Sequence, residues 1–428
     1  MNYNFVDYTD IYKGLMQFDK NKNKYIHQWY SFVEGYSKDF IISILNELDF
    51  SPKLCLEPFA GSGTTPLELQ KKNIPCISFE VNPFMFKLAR VKMNTTYTIK
   101  GLKKNIDFIQ NKIESYNKSE IEFNIPEYKS IVEKNQLDKW IFDKDVFTTI
   151  NIIKSSIKNI SDKKYRELFE IIFASLFLRY SNVYRNGKCL SYKKNWKNIN
   201  HNCEELKEEF LYKLKMITME DIKKLNQYNK KELFSNKSNC IFGDMRKKIS
   251  LIENSSVDLI ITSPPYLNSR DYTDIYMIEL WMLDLVKNYE NVKNLRQNTL
   301  RSHVQISFKE LKPLNIKLLI DTIEELKKYR EKFWNKNLLN MIIGYFEDMN
   351  ILFSNLKNKL TDRGRVYFNV ANSAYHGVLI EVDKIIAEIA IANGLQVEEI
   401  RVARYLKTSG QQKELIDKLR ESVIIIKK

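Results

Sequence analysis

The chain has 428 residues, enough for a sizeable core plus an insertion or second domain, since single domains usually run to about 100–200 residues. Hydrophobic residues at 44% and charged residues at 28% exclude extended disorder, and no run approaches the roughly 20 apolar residues of a membrane span. A formal net charge of +15 suits a polyanionic partner, because each cation set against a phosphate releases condensed counterions; a Lys-rich composition also follows from an AT-rich genome, so charge alone is not decisive.

The five cysteines, Cys55, Cys76, Cys189, Cys203 and Cys240, are scattered without C-x-x-C spacing, which points to a reducing cytoplasm and to no metal site. The first residues, Met1 to Phe5, lack a basic stretch followed by an apolar one, so neither export nor membrane insertion is expected.

An aromatic cluster containing His27, Trp29, Tyr30, Phe32 and Tyr36 precedes a helix over residues 39–48, with Ser37 as its N-cap. A short apolar run, Lys53 to Leu56, leads into Glu57-Pro58-Phe59-Ala60-Gly61-Ser62-Gly63-Thr64-Thr65 and then a helical stretch from Pro66 to Lys72. A second β-like run, Pro75 to Glu80, ends in an acid about 20 residues past the glycines, and a helix from Pro83 to Met93 follows. This is a βαβ unit of the nucleotide-binding type.

From Tyr97 to Asn236 the spacing is helical and no strand is expected, so residues 97–235 read as a mainly helical insertion. Within it Arg185, Lys188, Lys193, Lys194 and Trp196 interleave cations with an aromatic, as nucleic-acid contacts require. Strand signals resume at residues 239–244 and 257–262, and Ser263-Pro264-Pro265-Tyr266 ends the second of these. A mixed-charge helical region, 267–360, comes next. It holds Arg270 and Arg301, further candidates for nucleic-acid contact. The remaining elements are a strand at Arg365–Val370, a helix at Leu379–Ala392, and strands at residues 397–406 and 421–426.

Glycines allow positive φ and close approach, so a ligand can lie against the main chain where the turn enters a helix. The absence of Gly-Lys-Ser/Thr excludes a Walker-type phosphate loop. Two consecutive prolines cannot continue a central ladder, so they fix a loop at the carboxyl edge of the sheet.

The stretch Glu57 to Thr65 resembles the Asp-Pro-Phe-x-Gly-Ser-Gly-Thr-Thr signature of amino-directed, S-adenosylmethionine-dependent DNA methyltransferases of restriction-modification systems. Glu57 stands in place of the commoner Asp. Ser263 to Tyr266 is similar to the same family's Asp/Asn/Ser-Pro-Pro-Tyr/Phe motif. The resemblance implies an α/β fold, a Rossmann-like class I methyltransferase sheet of seven strands with the last antiparallel, interrupted by the helical insertion. The core is then 1–96 and 236–428, with 97–235 and 267–360 as alternative target-recognition regions.

By the same resemblance, Glu57, Phe59, Ala60, Gly61, Ser62, Gly63, Thr64 and Thr65 embrace the cofactor's methionine portion. Glu80 takes the ribose hydroxyls with Val81 and Asn82 beside it, and Asp244 with Met245 receives the adenine. Tyr30 belongs to a segment that closes over the cofactor.

The resemblance places the catalytic group at Ser263, Pro264, Pro265 and Tyr266. An exocyclic amino nitrogen is a poor nucleophile because its lone pair is delocalised, and it is activated by acceptors rather than a strong base. The Ser263 hydroxyl and Pro264 carbonyl are such acceptors, and Tyr266 suits stacking on a base swung out of the duplex. In the family it resembles, Ser at the first position is typical of cytosine-N4 enzymes and Asp or Asn of adenine-N6 enzymes, so cytosine N4 is expected with adenine N6 as the main alternative. An RNA base methyltransferase and a non-catalytic nucleic-acid-binding module are further alternatives. A cysteine nucleophile is not expected, and Cys76 reads as core. Double-stranded DNA is the expected partner, together with a restriction endonuclease encoded nearby.

Overall fold

The computed structural model describes residues 3–428 apart from 33, 116–124, 135, 187–188, 231–237, 268, 307–309 and 409–415. Its strands are β1 (Phe5–Asp7), β2 (Cys55–Glu57), β3 (Cys76–Glu80), β4 (Val183–Arg185), β5 (Leu190–Tyr192), β6 (Asn239–Phe242), β7 (Val257–Thr262), β8 (Leu360–Ala371), β9 (Ser373–Tyr375), β10 (Val378–Ile380), β11 (Gln396–Lys407) and β12 (Lys418–Lys427). Eight of them form one sheet in the order β1-β11-β12-β8-β7-β2-β3-β6. All pairings are parallel except those of β12, which runs antiparallel between β8 and β11. The seven expected strands and the reversed last strand are therefore present. The eighth, β1, pairs parallel with β11, and its three residues are too few to carry a periodic signal.

Helices cover both faces, which is why the central strands read as continuous apolar runs. All six residues of β7 are buried. Leu259 and Ile261 join Cys55, Tyr367 and Val423 in the core on one face, while Ile260 joins Leu56, Phe368 and Ile424 on the other. Cys76 is fully buried in the first of these cores.

Two expectations change. Residues 97–235 contain the antiparallel hairpin β4–β5 among their helices, its strands too short and too polar to alternate visibly. Their helices, among them Ile99–Glu114, Lys144–Lys158 and Lys163–Ala174, share a third core with the N-terminal segment and helix Pro83–Met93: Ile106, Ile153 and Phe169 cluster with Trp29 and Leu88. Residues 97–235 thus pack as a layer against the N-terminal segment and helix Pro83–Met93. The expected helix at Leu379–Ala392 is a strand, β10, followed by a helix at Val382–Ala392. No helix among the described residues is long and apolar enough to cross a membrane.

Candidate active site

β2 and β7 are neighbours, and the chain leaves them in opposite directions, β2 toward β3 and β7 toward β8. At such a switch point the two exit loops diverge and leave a crevice at the carboxyl ends of the strands. A cavity of about 970 Å³ opens there.

One wall is the glycine turn: Phe59, Ala60, Gly61, Ser62, Thr64 and Thr65 all line the cavity. Gly61 and Gly63 hold φ of 50° and 78°, and a Cβ on Gly63 would lie 2.9 Å from the Cα of Ala89. Gly63 therefore lies behind the wall, where its missing side chain lets helix Thr64–Lys71 pack flush on helix Pro83–Met93. Beneath the turn, buried Lys92 donates to the Ser62 carbonyl at 3.0 Å, and burial pushes its ammonium down to about 7.

At the end of β3, Glu80 Oε1 accepts the Asn82 N–H at 2.7 Å and Oε2 accepts the Gly61 N–H at 2.8 Å. The Val81 amide also lies against this carboxylate. Burial raises this carboxyl to about 7, against the lowering effect of the Asn82, Gly61 and Val81 amides. Val81 and Asn82 line the cavity, and the Asn82 side chain caps helix Pro83–Met93 by accepting the Phe84 N–H. Asp244 and Met245 also line it. Asp244 is gripped by Arg246, whose Nε and Nη2 sit 2.8–3.1 Å from its two oxygens. Arg246 pairs in turn with Asp348.

Glu57 does not reach the cavity. Its buried carboxylate accepts the Phe59 N–H at 3.0 Å, the Tyr36 hydroxyl at 2.9 Å and the Thr262 hydroxyl. Thr262 ends β7 and Glu57 ends β2, so one carboxylate ties the two loops together across the switch point. Burial raises it to about 7.

The opposite wall is Ser263, Pro264, Pro265 and Tyr266. The Tyr266 hydroxyl donates to Glu421 Oε1 at 2.7 Å and accepts from Asn369 Nδ2 at 2.7 Å. Since its one proton goes to Glu421, the 3.5 Å contact with Ser263 Oγ has Ser263 as donor. The Ser263 oxygen keeps its lone pairs free. Arg404 Nε holds the second oxygen of Glu421 at 2.5 Å. Glu421, Asn369 and Arg404 all line the cavity and carry no signal in the sequence. Asn369 Oδ1 is buried without a partner, and so is Asn372 Nδ2, whose amide orientation is fixed by Oδ1 accepting the Asp383 N–H.

From the N-terminal segment, Phe32, Glu34 and Tyr36 line the cavity, whereas Tyr30 is buried behind it with its hydroxyl on Glu279 at 2.7 Å. Glu34 presents a buried oxygen, Oε2, with no partner, and burial pushes its carboxyl up to about 7.

Two expected nucleic-acid contacts are otherwise engaged. Arg185 lines the cavity but is buried: it pairs with Glu279 at 2.7 Å, donates to the Ile275 carbonyl at 3.0 Å, and lies 4.5 Å from the Tyr276 ring centroid. Arg301 pairs with Asp348 at 2.7 Å and Glu347 at 2.8 Å. Of the rest, Arg270 is exposed and lines the cavity, while Lys193, Lys194 and Trp196 do not. Lys193 donates to the Arg179 carbonyl, and Trp196 packs edge-on against Trp140 at 4.8 Å. Lys188 lies outside the described residues.

No family model matches the chain. Type II methyltransferase M.BsoBI of Geobacillus stearothermophilus is 25% identical to it, over 95% of this chain and 86% of that protein. Type II methyltransferase M.AvaI of Nostoc sp. is 24% identical, with the same two coverages. Among solved structures, the rRNA methyltransferase aviRa from Streptomyces viridochromogenes aligns over 90% of this chain and 83% of that one, at 10% identity and a TM-score of 0.30, too loose a match to bear on the site. The chain thus resembles methyltransferases of restriction-modification systems over nearly its whole length.

Proposed function

We propose that the likeness to type II methyltransferases reflects shared chemistry, and that this chain moves a methyl group from S-adenosylmethionine to an exocyclic amino group in double-stranded DNA, cytosine N4 rather than adenine N6. The observation that carries the reading is that one cavity joins the glycine turn and Glu80 to Ser263 and Tyr266.

The residues fit the methyl donor. Glu80 faces the cavity end of β3 with two acceptor oxygens, which suits a vicinal diol, and the unpartnered Glu34 Oε2 suits an ammonium group. Bound there, S-adenosylmethionine supplies an electrophilic methyl on a sulfonium.

The chain's own part is to present the amino group. With its proton turned toward Tyr266, Ser263 Oγ accepts one amino hydrogen, and the Pro264 carbonyl accepts the other, which draws the nitrogen lone pair out of conjugation. Tyr266, held through its hydroxyl by Glu421 and Asn369, offers a fixed ring on which an extruded base stacks. The open Asn369 Oδ1 and Asn372 Nδ2 are an acceptor and a donor for the base's polar edge. Ser at the first motif position favours cytosine. Arg270 and Lys407, exposed and without ion pairs among the described residues, suit phosphates at the cavity mouth. The biological role we assign is protection of host DNA against a companion endonuclease in the cytoplasm.

Incubation with unmodified genomic DNA and S-adenosylmethionine, followed by nucleoside mass spectrometry, is expected to yield N4-methylcytosine. N6-methyladenine would reassign the base. Methylation of transfer RNA but not DNA would sink the DNA reading.

A further inference from the structure

Trp334 is the most exposed of the large hydrophobic residues among those described, at 67%. It sits in a short connection between helices Lys317–Lys327 and Leu338–Lys359, outside the cavity and outside the sequence motifs. Its neighbours in the chain are cationic: Arg330, Lys332 and Lys336 are exposed and make no ion pair among the described residues. Lys327 and Lys328, just before them, are paired with Glu324 and Glu325. An exposed indole flanked by three cations that have no ion-pair partner among the described residues has the chemistry to meet a polyanion that also carries stackable rings.

The position of this connection is set by a stack of rings. His376 lies between Tyr329, at 5.9 Å and 7° between planes, and Phe333, at 5.5 Å and 29°. His376 is at the tip of the β9–β10 hairpin, whose first residues, Ser373 and Ala374, line the cavity. That hairpin follows the carboxyl end of β8, the edge of the sheet from which Ser263 to Tyr266 emerge from β7. The stack therefore pins Trp334 and its cations to the active edge, one hairpin away from the cavity wall.

We infer that the connection from Tyr329 to Lys336 is a DNA-gripping surface: Arg330, Lys332 and Lys336 contact phosphates, and Trp334 lays its ring against sugar or an unstacked base beside the target. Resting on the methyltransferase reading, this assigns the duplex a footing outside the insertion. Phosphate contacts give affinity without sequence preference, and an aromatic ring stacks on any base, so the surface serves grip and base extrusion rather than sequence choice.

The test is fluorescence anisotropy of a short fluorescein-labelled duplex of mixed sequence, titrated with wild type, Trp334→Ala, Trp334→Phe and the triple variant Arg330→Ala/Lys332→Ala/Lys336→Ala. Trp334→Ala is expected to weaken binding about tenfold, with Trp334→Phe close to wild type. The triple variant is expected to lower the slope of log affinity against log salt by about 2.7, at about 0.9 per lost phosphate contact. S-adenosylmethionine affinity is expected to stay unchanged in all, which also shows that the variants are folded. Unchanged duplex affinity and salt slope would overturn the surface, as would a wild type that binds no duplex. A wild type that binds duplex through these residues yet methylates no DNA leaves the surface standing and removes the methyltransferase reading instead.

Discussion

Replacing Glu421 by Gln keeps the side chain's size, removes one charge and forces the hydrogen bonds around it to rearrange. The wild-type carboxylate accepts from Tyr266, Asn369 and Arg404 at 2.7, 3.3 and 2.5 Å. A Gln amide has one accepting end, which the Arg404 guanidinium claims because a charged donor is the stronger partner. The amide NH₂ then faces the Tyr266 hydroxyl. Tyr266 must surrender its acceptor and turn its proton toward Ser263 Oγ, 3.5 Å away. That proton occupies the lone pair assigned to the target amino group.

Losing one charge-assisted hydrogen bond at a buried site costs about 2–3 kcal/mol of stability. Misdirecting one catalytic acceptor costs turnover about 10- to 100-fold, or about 1.4–2.8 kcal/mol of barrier. Single-turnover transfer of a tritiated methyl group to unmodified plasmid DNA measures the second, and denaturant melts the first. Tyr266→Phe has no proton to misdirect, so it should transfer faster than Glu421→Gln. The double variant should recover to the Tyr266→Phe rate, a coupling that mere loss of packing does not produce. A Glu421→Gln enzyme within twofold of wild type, or a double variant slower than either single, would refute the reasoning.

With Glu80 as the proposed acceptor of the ribose hydroxyls, the affinity for S-adenosylmethionine is expected to depend on pH. Its folded carboxyl ionises near 7, so below that it carries a proton in place of one acceptor, and calorimetry should show affinity falling about tenfold from pH 8 to pH 6, with Glu80→Gln flat across the range. The sign for folding is opposite: without cofactor the group binds its proton more tightly folded than unfolded, so its contribution to stability falls as pH rises from 4.5 to about 7. Arg185→Ala strands the buried Glu279 carboxylate and should cost about 3–5 kcal/mol in urea unfolding, with little change in DNA affinity. A stable variant with weakened DNA binding would return Arg185 to the nucleic-acid surface.

The parts of the site legible in the sequence are those whose geometry is local. Gly61 and Gly63 with the acid Glu80 at the next strand end, and Pro264 and Pro265 after an apolar run, carry their constraints within a few residues of themselves. The reversed last strand came from the family resemblance, not from local spacing. The unread parts are long-range pairings. Glu421 meets Tyr266 across 155 residues and Asn369 across 52, and no spacing rule joins them. Arg185 looks like a phosphate contact because its neighbours are basic; its partner, Glu279, is 94 residues further on. Glu57 reads as facing the ligand by analogy with a shorter acid. The extra methylene carries the carboxylate into the gap between two strand ends, where it accepts hydroxyls from Tyr36 and Thr262.

The reversed strand β12 has a consequence for synthesis. It fills the place between β8 and β11, and it carries Glu421. A chain emerging from the ribosome can complete β2, β3, β6 and β7, and with them the glycine-turn wall of the cavity, while β8 and β11 still lie apart with open edges. Tyr266 lacks its anchor until residues 418–427 arrive and zip the gap. The anchor of Tyr266 thus forms only once β12 has been made, and until then the edges of β8 and β11 that β12 covers stand open to other strands.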